Sequence, residues 1–303
     1  MPTTLEQPVV QTARQEHKTS GSIWSWVVPV GLLAGAFLYL YAFVLPPLIA
    51  DWSDDPNYSH GFLVPILSMY FVWERRQQLR GVVRQPHSWG VLLLLAGVCM
   101  LFLGHIGAEL FLMRSSIIVV ITGLVVYLCG WKIFRLLTFP LAYLLFMIPL
   151  PAIILNTVTF PLQLLAAKLS TASLQLIGLP VYREGNIIFL PHSTLEIVEA
   201  CSGIRSLVSL LALAVVFAYM TQRHTGKRWV LVASAIPIAL VANAFRIWGT
   251  GVLAFLYGTK VAEGFYHTFA GWLVFVVAFV LLLSEGCLLS LISKARLARE
   301  REA

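Results

Sequence analysis

Residues 229–256 read WVLVASAIPIALVANAFRIWGTGVLAFL and contain one charged side chain, Arg246. About 20 predominantly apolar residues suffice for an α-helix to cross a lipid bilayer once. A basic cluster, Arg223, Lys227 and Arg228, lies immediately before the run. The stretch therefore predicts a membrane-spanning helix whose first end faces the cytoplasm.

Similar apolar runs recur along the whole chain. Of its 303 residues, 59% are hydrophobic and 12% are charged. A soluble domain of this size has too small an interior for so much apolar surface, so we expect a polytopic all-α membrane protein with about eight transmembrane helices. The predicted spans are residues 24–48, 59–73, 89–107, 115–131, 137–151, 202–220, 229–256 and 267–291.

The distribution of charge orients these spans. Basic clusters occupy every second connection, and the alternate connections, such as residues 51–55, lean acidic. Because cytoplasmic loops carry the excess of Lys and Arg, both termini are expected in the cytoplasm. The net charge of +7 is assigned to these anchoring loops, and no nucleic-acid partner is expected. The basic residues are Arg14 and Lys18; Arg75, Arg76, Arg80 and Arg84; Lys132 and Arg135; Arg223, Lys227 and Arg228; and Lys294, Arg296, Arg299 and Arg301.

A single integral membrane domain is expected over residues 1–303, because no internal repeat or low-complexity linker divides the chain. Residues 1–22 are predicted to form a cytoplasmic tail, and they lack the apolar region of a cleavable signal peptide. Residues 292–303 are predicted to form a second, basic cytoplasmic tail.

The largest outer segment, residues 152–200, divides into two parts. Polar residues interspersed through 152–178 are typical of an interfacial or re-entrant amphipathic helix. Residues 181–198 contain β-rich runs on either side of a Gly-Asn turn, which predicts a small hairpin on the periplasmic membrane surface.

Cys201, in the segment EACSG at residues 199–203, is a candidate nucleophile where this outer segment passes into the sixth span. Unpaired backbone N–H groups and the dipole at a helix N-terminus favour a thiolate there. Arg205 lies four residues later, one turn deeper on the same helical face. The alternative is that Cys201 only packs and Arg205 pairs with Glu199. The other cysteines, for which packing is the ordinary role, are Cys99, Cys129 and Cys287.

Three further residues lie near the outer ends of other spans. Arg246 is near the end of the seventh span, and Asn243 shares its helical face. A guanidinium there suits a developing oxyanion or a substrate carboxylate, with snorkelling to lipid phosphate as the alternative. His267 begins the eighth span, which we expect to lie beside the seventh. Together with Cys201, these side chains predict a cysteine acyl-transfer site.

His60 competes with His267 for the role of the base. It lies in the segment NYSHG at residues 57–61, also on the outer side. His60, His192 and His267 form an alternative metal-ligand set, but no HExxH or CxxC spacing supports it. We therefore predict neither a metal nor another cofactor.

The ordered set of motifs resembles the exosortase family, membrane transpeptidases that process PEP-CTERM proteins in Gram-negative bacteria. The resemblance rests on EACSGIRS around Cys201, NAFRI around Arg246, the isolated His267, and NYSHGFLVP after the first span. It covers nearly the whole chain, in order, without departure at the catalytic positions.

The resemblance implies a cysteine peptidase or transpeptidase of the inner membrane whose active site is periplasmic. Its partners would be exported proteins whose C-terminal sorting tail has a short Pro-Glu-Pro-like motif, a transmembrane helix and a basic cluster, within membrane lipid. Cys201 would form an acyl-enzyme thioester, Arg246 would stabilise the oxyanion or orient the thiolate, and His267 would protonate the leaving amine. Arg183 or Arg205 would pair with the substrate Glu. The candidate substrate-binding residues are Arg205, Asn243, His60 and Arg183.

Three other functions remain open. An acyltransferase acting on exported polysaccharide would use the same interface and a similar histidine. A transporter is disfavoured, because the ionisable candidates cluster at one interface rather than at the bilayer midplane. A non-catalytic scaffold predicts that Cys201, Arg246 and His267 can each be replaced without loss of function.

Overall fold

The computed structural model describes residues 24–191, 193–196, 204–258 and 265–302. Cys201 and His192 lie outside the described residues, as do the side chains of Arg205 and His267, whose backbones lie in helices. Residues up to Phe43 belong to one compact unit, and residues from Val44 onward belong to a second. Each unit is helical in its described part.

The first unit contains helix α1, and the second contains ten further helices among the residues that the structure describes. Two short 3-10 turns are also present: Ser59–Phe62 directly precedes α3, and Leu144–Met147 directly follows α7. The helices are α1 (Trp24–Leu40), α2 (Leu45–Asp54), α3 (Leu63–Glu74), α4 (Arg76–Gly81), α5 (Trp89–Ile106), α6 (Leu110–Cys129), α7 (Trp131–Tyr143), α8 (Ala152–Leu176), α9 (Ile204–Thr221), α10 (Thr225–Tyr257) and α11 (Phe265–Glu302).

Five helices are long and apolar enough to cross a membrane: α5, α6, α8, α10 and the part of α11 from Gly271 to Leu291. A sixth candidate arises if Val27–Leu40 and Leu45–Asp54 together form one broken span. A polytopic helical membrane protein is therefore confirmed, whereas the predicted count of eight spans is not. The predicted spans 59–73 and 137–151 correspond to α3 and α7, whose 12 and 13 residues are too few to cross a bilayer alone.

Helix α8 is the main departure from the expected outer segment. The sequence predicts an interfacial or re-entrant amphipathic helix over residues 152–178. The structure has a 25-residue helix there, and it meets the length and composition requirements of a membrane span. Its buried side includes Ala166, Ala167, Ser170 and Leu174, and the Ser170 hydroxyl donates to the Ala244 carbonyl of α10 across 2.9 Å. Small residues thus allow α8 and α10 to approach closely.

The predicted hairpin is present and has one strand more than expected. Strands β1 (Tyr182–Glu184) and β2 (Ile187–Leu190) are antiparallel, and β3 (Ser193–Glu196) pairs with the other edge of β2. Gly185, with φ of +60°, occupies the first position of the two-residue turn, a conformation that favours glycine. The sheet packs on α8 and α10 through buried Ile188. The sheet thus fixes the chain up to Glu196 against these two helices.

Helices α5 and α6 form a tightly packed pair. Gly90, Gly97 and Gly104 recur at seven-residue intervals along α5 and face α6. A Cβ at Gly97 would lie 2.6 Å from the Val120 side chain, and one at Gly104 would lie 2.6 Å from that of Met113. The repeat is the small-residue spacing that brings membrane helices into backbone contact.

Helices α9, α10 and α11 pack against one another around a core rich in alanine. The small side chains bring the three helix axes close together, which matters because the three candidate catalytic positions lie on or just before these helices. The fully or nearly fully buried members are Leu210, Ala214, Ala218, Leu231, Ala235, Ala239, Ala242, Ala278 and Leu282.

Candidate active site

Arg246 lies against the N-terminal part of α11. A Cβ at Gly271 would lie 3.5 Å from the Arg246 guanidinium carbon, so the guanidinium lies within van der Waals distance of this position of α11. Position 267 precedes Gly271 by four residues and so lies one helical turn away on the same face of α11. The structure thus brings the Arg246 guanidinium within one turn of position 267.

Arg246 lies about two-thirds of the way along α10, 11 residues before its last residue, Tyr257. Arg246 lies roughly 30 Å along the axis of α10 from Thr225, at a rise of about 1.5 Å per residue. Arg228, in the first turn of α10, lies at the opposite end of the helix. Asn243 is buried one turn before Arg246. The two residues share a helical face, as expected from their spacing.

Cys201 precedes the first residue of α9, Ile204, by three positions and lies outside the described residues. Arg205 is in the first turn of α9, and Ser209 follows it one turn later on the same face. Helix α9 packs on both α10 and α11, the helices that carry Arg246 and position 267.

His60 contacts the same side of α9. Its Nε2 lies 3.1 Å from the Phe146 carbonyl oxygen, and its Nδ1 lies 3.3 Å from the Ser209 hydroxyl. A carbonyl only accepts hydrogen bonds, so Nε2 carries the proton and donates, and Nδ1 accepts from Ser209. Both ring nitrogens are thus engaged by protein groups. His60 therefore joins the turn before α3, the turn after α7 and helix α9.

Burial lowers the pKa of His60 below its ordinary value of 6.5, while hydrogen bonds to the main chain of Phe146 and Asn57 act in the opposite direction. A neutral imidazole suits the hydrogen bonds described above, because a protonated ring has no acceptor for the Ser209 hydroxyl. This environment is that of a structural histidine rather than of a base exposed to substrate.

We expect the His60→Asn variant to lose stability but to keep measurable activity, whereas His267→Ala abolishes activity. Each lost hydrogen bond costs about 1 kcal/mol of unfolding free energy. Because folding lowers the pKa of His60, its stabilising contribution is full above pH 6.5 and declines as the pH falls below that value.

Thermal unfolding of the detergent-solubilised protein measures this contribution between pH 5 and 8, roughly the window in which histidine titrates. The unfolding midpoint of the His60→Asn variant should depend less on pH than that of the unchanged protein. Ser209→Ala serves as the matched control, since it removes one partner and keeps the imidazole. Complete loss of activity in a folded His60→Asn protein would instead make His60 the working base.

An ion pair close to Tyr58 has no counterpart among the sequence-based predictions. Arg114, at the start of α6, has 3% of its side chain exposed, and its Nη1 lies 2.7 Å from the Asp51 carboxylate of α2. A buried guanidinium needs such a partner, because an unpaired charge in an apolar interior is strongly destabilising. In the sequence, the feature that indicates such an ion pair is Arg114 itself, a charged residue at the edge of an apolar run.

Trp52 fixes the same region. Its indole N–H donates to the Met147 carbonyl across 2.9 Å, and the indole ring lies so close to Gly61 that any Cβ there would overlap it. Burial, together with the charges of Asp55 and Asp51, raises the pKa of Tyr58 above its ordinary value. The NYSHG segment is thus held against the turn after α7 by side chains on both sides of His60.

Arg183 lies in strand β1, in the segment of the chain between α8 and α9. Its guanidinium donates to the Gly185 carbonyl in the turn of its own hairpin. Its proposed pairing with a substrate carboxylate stays a prediction. Within the described residues, no group of three or more His, Cys, Asp or Glu side chains has an arrangement suited to a metal ion.

The model of one protein family matches this chain. It is the transmembrane exosortase family, and the match extends over residues 52–284. No curated protein and no solved structure shows a significant match to the chain. The matched residues include every candidate site position discussed above, from His60 to His267.

Proposed function

The chain belongs to the transmembrane exosortase family, and from this premise we propose that it is a cysteine-dependent membrane protease or transpeptidase. Its substrates are exported proteins with a C-terminal sorting tail, which it cleaves at the periplasmic face of the inner membrane. The tail combines a short Pro-Glu-Pro-like motif, a transmembrane helix and a basic cluster.

One observation carries the proposal. The Arg246 guanidinium lies against Gly271, one turn from position 267 on the same face of α11. Helix α9, which begins three residues after Cys201, packs on the two helices concerned. A guanidinium one turn from position 267, on a helix packed against the one that follows Cys201 in sequence, supports an acyl-transfer site composed of these three residues.

The proposed reaction proceeds in two steps. The Cys201 thiolate attacks a peptide carbonyl carbon, and Arg246 stabilises the resulting oxyanion. The C–N bond then breaks, the His267 imidazolium gives its proton to the departing amine, and a thioester remains on Cys201. In the second step His267 takes a proton from the acceptor, water or an amine, which attacks the thioester and releases the Cys201 thiolate.

A chain with Cys201 as its only cysteine tests this chemistry. Cys99 and Cys287 are exposed on the helical surface and Cys129 is half-buried, so all three are replaceable by alanine. The protein is co-expressed with a reporter that carries the sorting tail, and the Cys201 peptide is analysed by mass spectrometry with and without hydroxylamine. We expect a hydroxylamine-sensitive adduct whose mass matches the reporter's peptide.

Two results would contradict the proposal. A fatty acyl adduct on Cys201 would favour the acyltransferase, because its acyl group derives from lipid rather than from peptide. A reporter that is still processed when Cys201 is replaced by alanine would exclude the thioester route.

A further inference from the structure

At the end of the bundle opposite Arg246, two guanidinium groups lie over one aromatic ring. The Arg75 Cζ is 5.3 Å and the Arg228 Cζ is 4.9 Å from the centroid of the Tyr219 ring. Arg75 follows α3, whereas Arg228 is in the first turn of α10 and Tyr219 is in the last turn of α9. The end of α3 and the turn between α9 and α10, which are distant in sequence, thus place two like charges together.

The position of the pair is fixed by the surrounding groups. Arg75 donates to the Leu136 carbonyl, and the Arg228 Nε donates to the Gln222 carbonyl across 2.7 Å. The Arg228 Nη2 lies 3.4 Å from the Tyr219 carbonyl oxygen. On the aromatic side, Tyr219 stacks on Phe139 with ring centroids 3.6 Å apart. Hydrogen bonds to described residues occupy three of the ten N–H donors that two guanidinium groups carry.

The charges of the pair are not balanced locally. Among the described residues, no carboxylate lies within ion-pair distance of Arg75 or Arg228. Burial is the main cause that lowers the pKa of Arg75; the carboxylate of Glu74 raises it, and the neighbouring charge of Arg228 lowers it by a smaller amount. An anion bound by both guanidinium groups would relieve this repulsion, because arginine forks match the oxygens of a phosphate.

The surroundings of the pair favour a lipid phosphate over a free one. Trp73 and Trp229, which are close to Arg75 and Arg228 in sequence, are 57% and 69% exposed. Exposed tryptophan beside basic residues is typical of the level at which lipid headgroups meet acyl chains. Basic pockets between membrane helices on the cytoplasmic side are suited to anionic headgroups.

We propose that Arg75 and Arg228 bind the phosphate group of an anionic phospholipid, which holds the ends of α3, α9 and α10 together. Tyr219 positions both guanidinium groups, and the flanking tryptophans contact the upper part of the acyl chains. The site is independent of the proposed peptidase activity, since it lies at the other end of α10.

Purified protein in phosphatidylcholine nanodiscs, supplemented stepwise with phosphatidylglycerol, tests the site. The readouts are the thermal unfolding midpoint and the binding of spin-labelled phosphatidylglycerol.

The double variant Arg75→Gln/Arg228→Gln is compared with Arg80→Gln/Arg223→Gln, which makes the same change in net charge at exposed positions of the same two basic segments. We expect apparent affinity about 30-fold weaker in the first variant, because the charge-assisted hydrogen bonds of each guanidinium with the phosphate contribute roughly a factor of five. The control pair should change the apparent affinity less than about threefold, because salt screens exposed surface charges.

The design also separates the sources of phosphate. If inorganic phosphate reproduces the stabilisation given by phosphatidylglycerol, the assignment to a lipid is wrong. If the control pair weakens binding as much as the first pair, the attraction belongs to the whole basic surface and no site exists. Should the glutamine variant not fold, Arg75→Lys/Arg228→Lys retains the charge and loses the fork geometry. Full affinity in that lysine variant would also overturn the proposal.

Discussion

Replacing Cys201 by alanine should abolish processing of a reporter that carries the sorting tail. In the proposed mechanism the thiolate forms the covalent bond, and no other side chain can take its place. We expect the rate of processing to fall by at least about 1,000-fold, as is usual when a catalytic nucleophile is removed. An immunoblot of the reporter in cells, with enzyme levels matched between variants, measures the effect.

The other cysteines provide matched controls for this experiment. Cys99→Ala and Cys287→Ala remove thiols that are exposed on the surface of the helices, and both variants should process the reporter normally. Processing that survives Cys201→Ala would exclude the cysteine mechanism and return the chain to the scaffold or transporter class. Loss of processing in the control variants as well would point to a general effect of altered packing.

Replacing Arg246 by glutamine should lower the rate of processing by about 100- to 1,000-fold, the usual effect of removing a group that stabilises an oxyanion. Arg246→Lys should restore only part of the rate, because an ammonium group lacks the planar fork of guanidinium. Single-turnover processing by purified enzyme separates this loss from weaker substrate binding. A folded Arg246→Gln protein with a normal rate would leave Arg246 as a lipid-contacting residue.

Gly271 allows the same prediction to be tested without changing Arg246. A Cβ at Gly271 meets the guanidinium at 3.5 Å, an ordinary contact, so Gly271→Ala should be tolerated. Gly271→Leu extends into the space of the guanidinium and should lower activity toward that of Arg246→Gln. Gly249→Leu is the control, because a Cβ at Gly249 meets nothing within 4 Å. Equal activity of the two leucine variants would show that the position of Arg246 against α11 does not matter.

The helices could be predicted from the apolar runs, but the number of helices that cross the membrane could not. The runs at 89–107 and 229–256 correspond to α5 and α10, both long enough to span. Composition does not distinguish a full crossing from a short buried helix, which is why α3 and α7 were overcounted. Helix α8 was missed as a candidate because its polar residues suggested a surface, whereas Gln163 and Ser170 are buried.

For the candidate site, sequence reasoning succeeded where chain order implies spatial order. Consecutive membrane helices tend to be neighbours, so placing Arg246 beside the start of α11 followed from sequence alone. The contacts of His60 with Ser209 and Phe146 join residues distant in the chain, and no spacing rule reaches across such separations. The ion pair of Arg114 with Asp51 was missed for the same reason.

The sequence by itself determined that this chain is a helical membrane protein, that its basic residues lie in short clusters between apolar runs, and that three chemically suited residues accompany the ends of three apolar runs. These properties depend on local composition, because each apolar run must satisfy its own backbone hydrogen bonds within the bilayer. Only the tertiary structure decided that Arg246 rests on Gly271, that both nitrogens of His60 are occupied, and that two arginines meet over Tyr219. Those outcomes depend on how small residues let particular helices approach one another, which is a property of packed pairs rather than of any single segment.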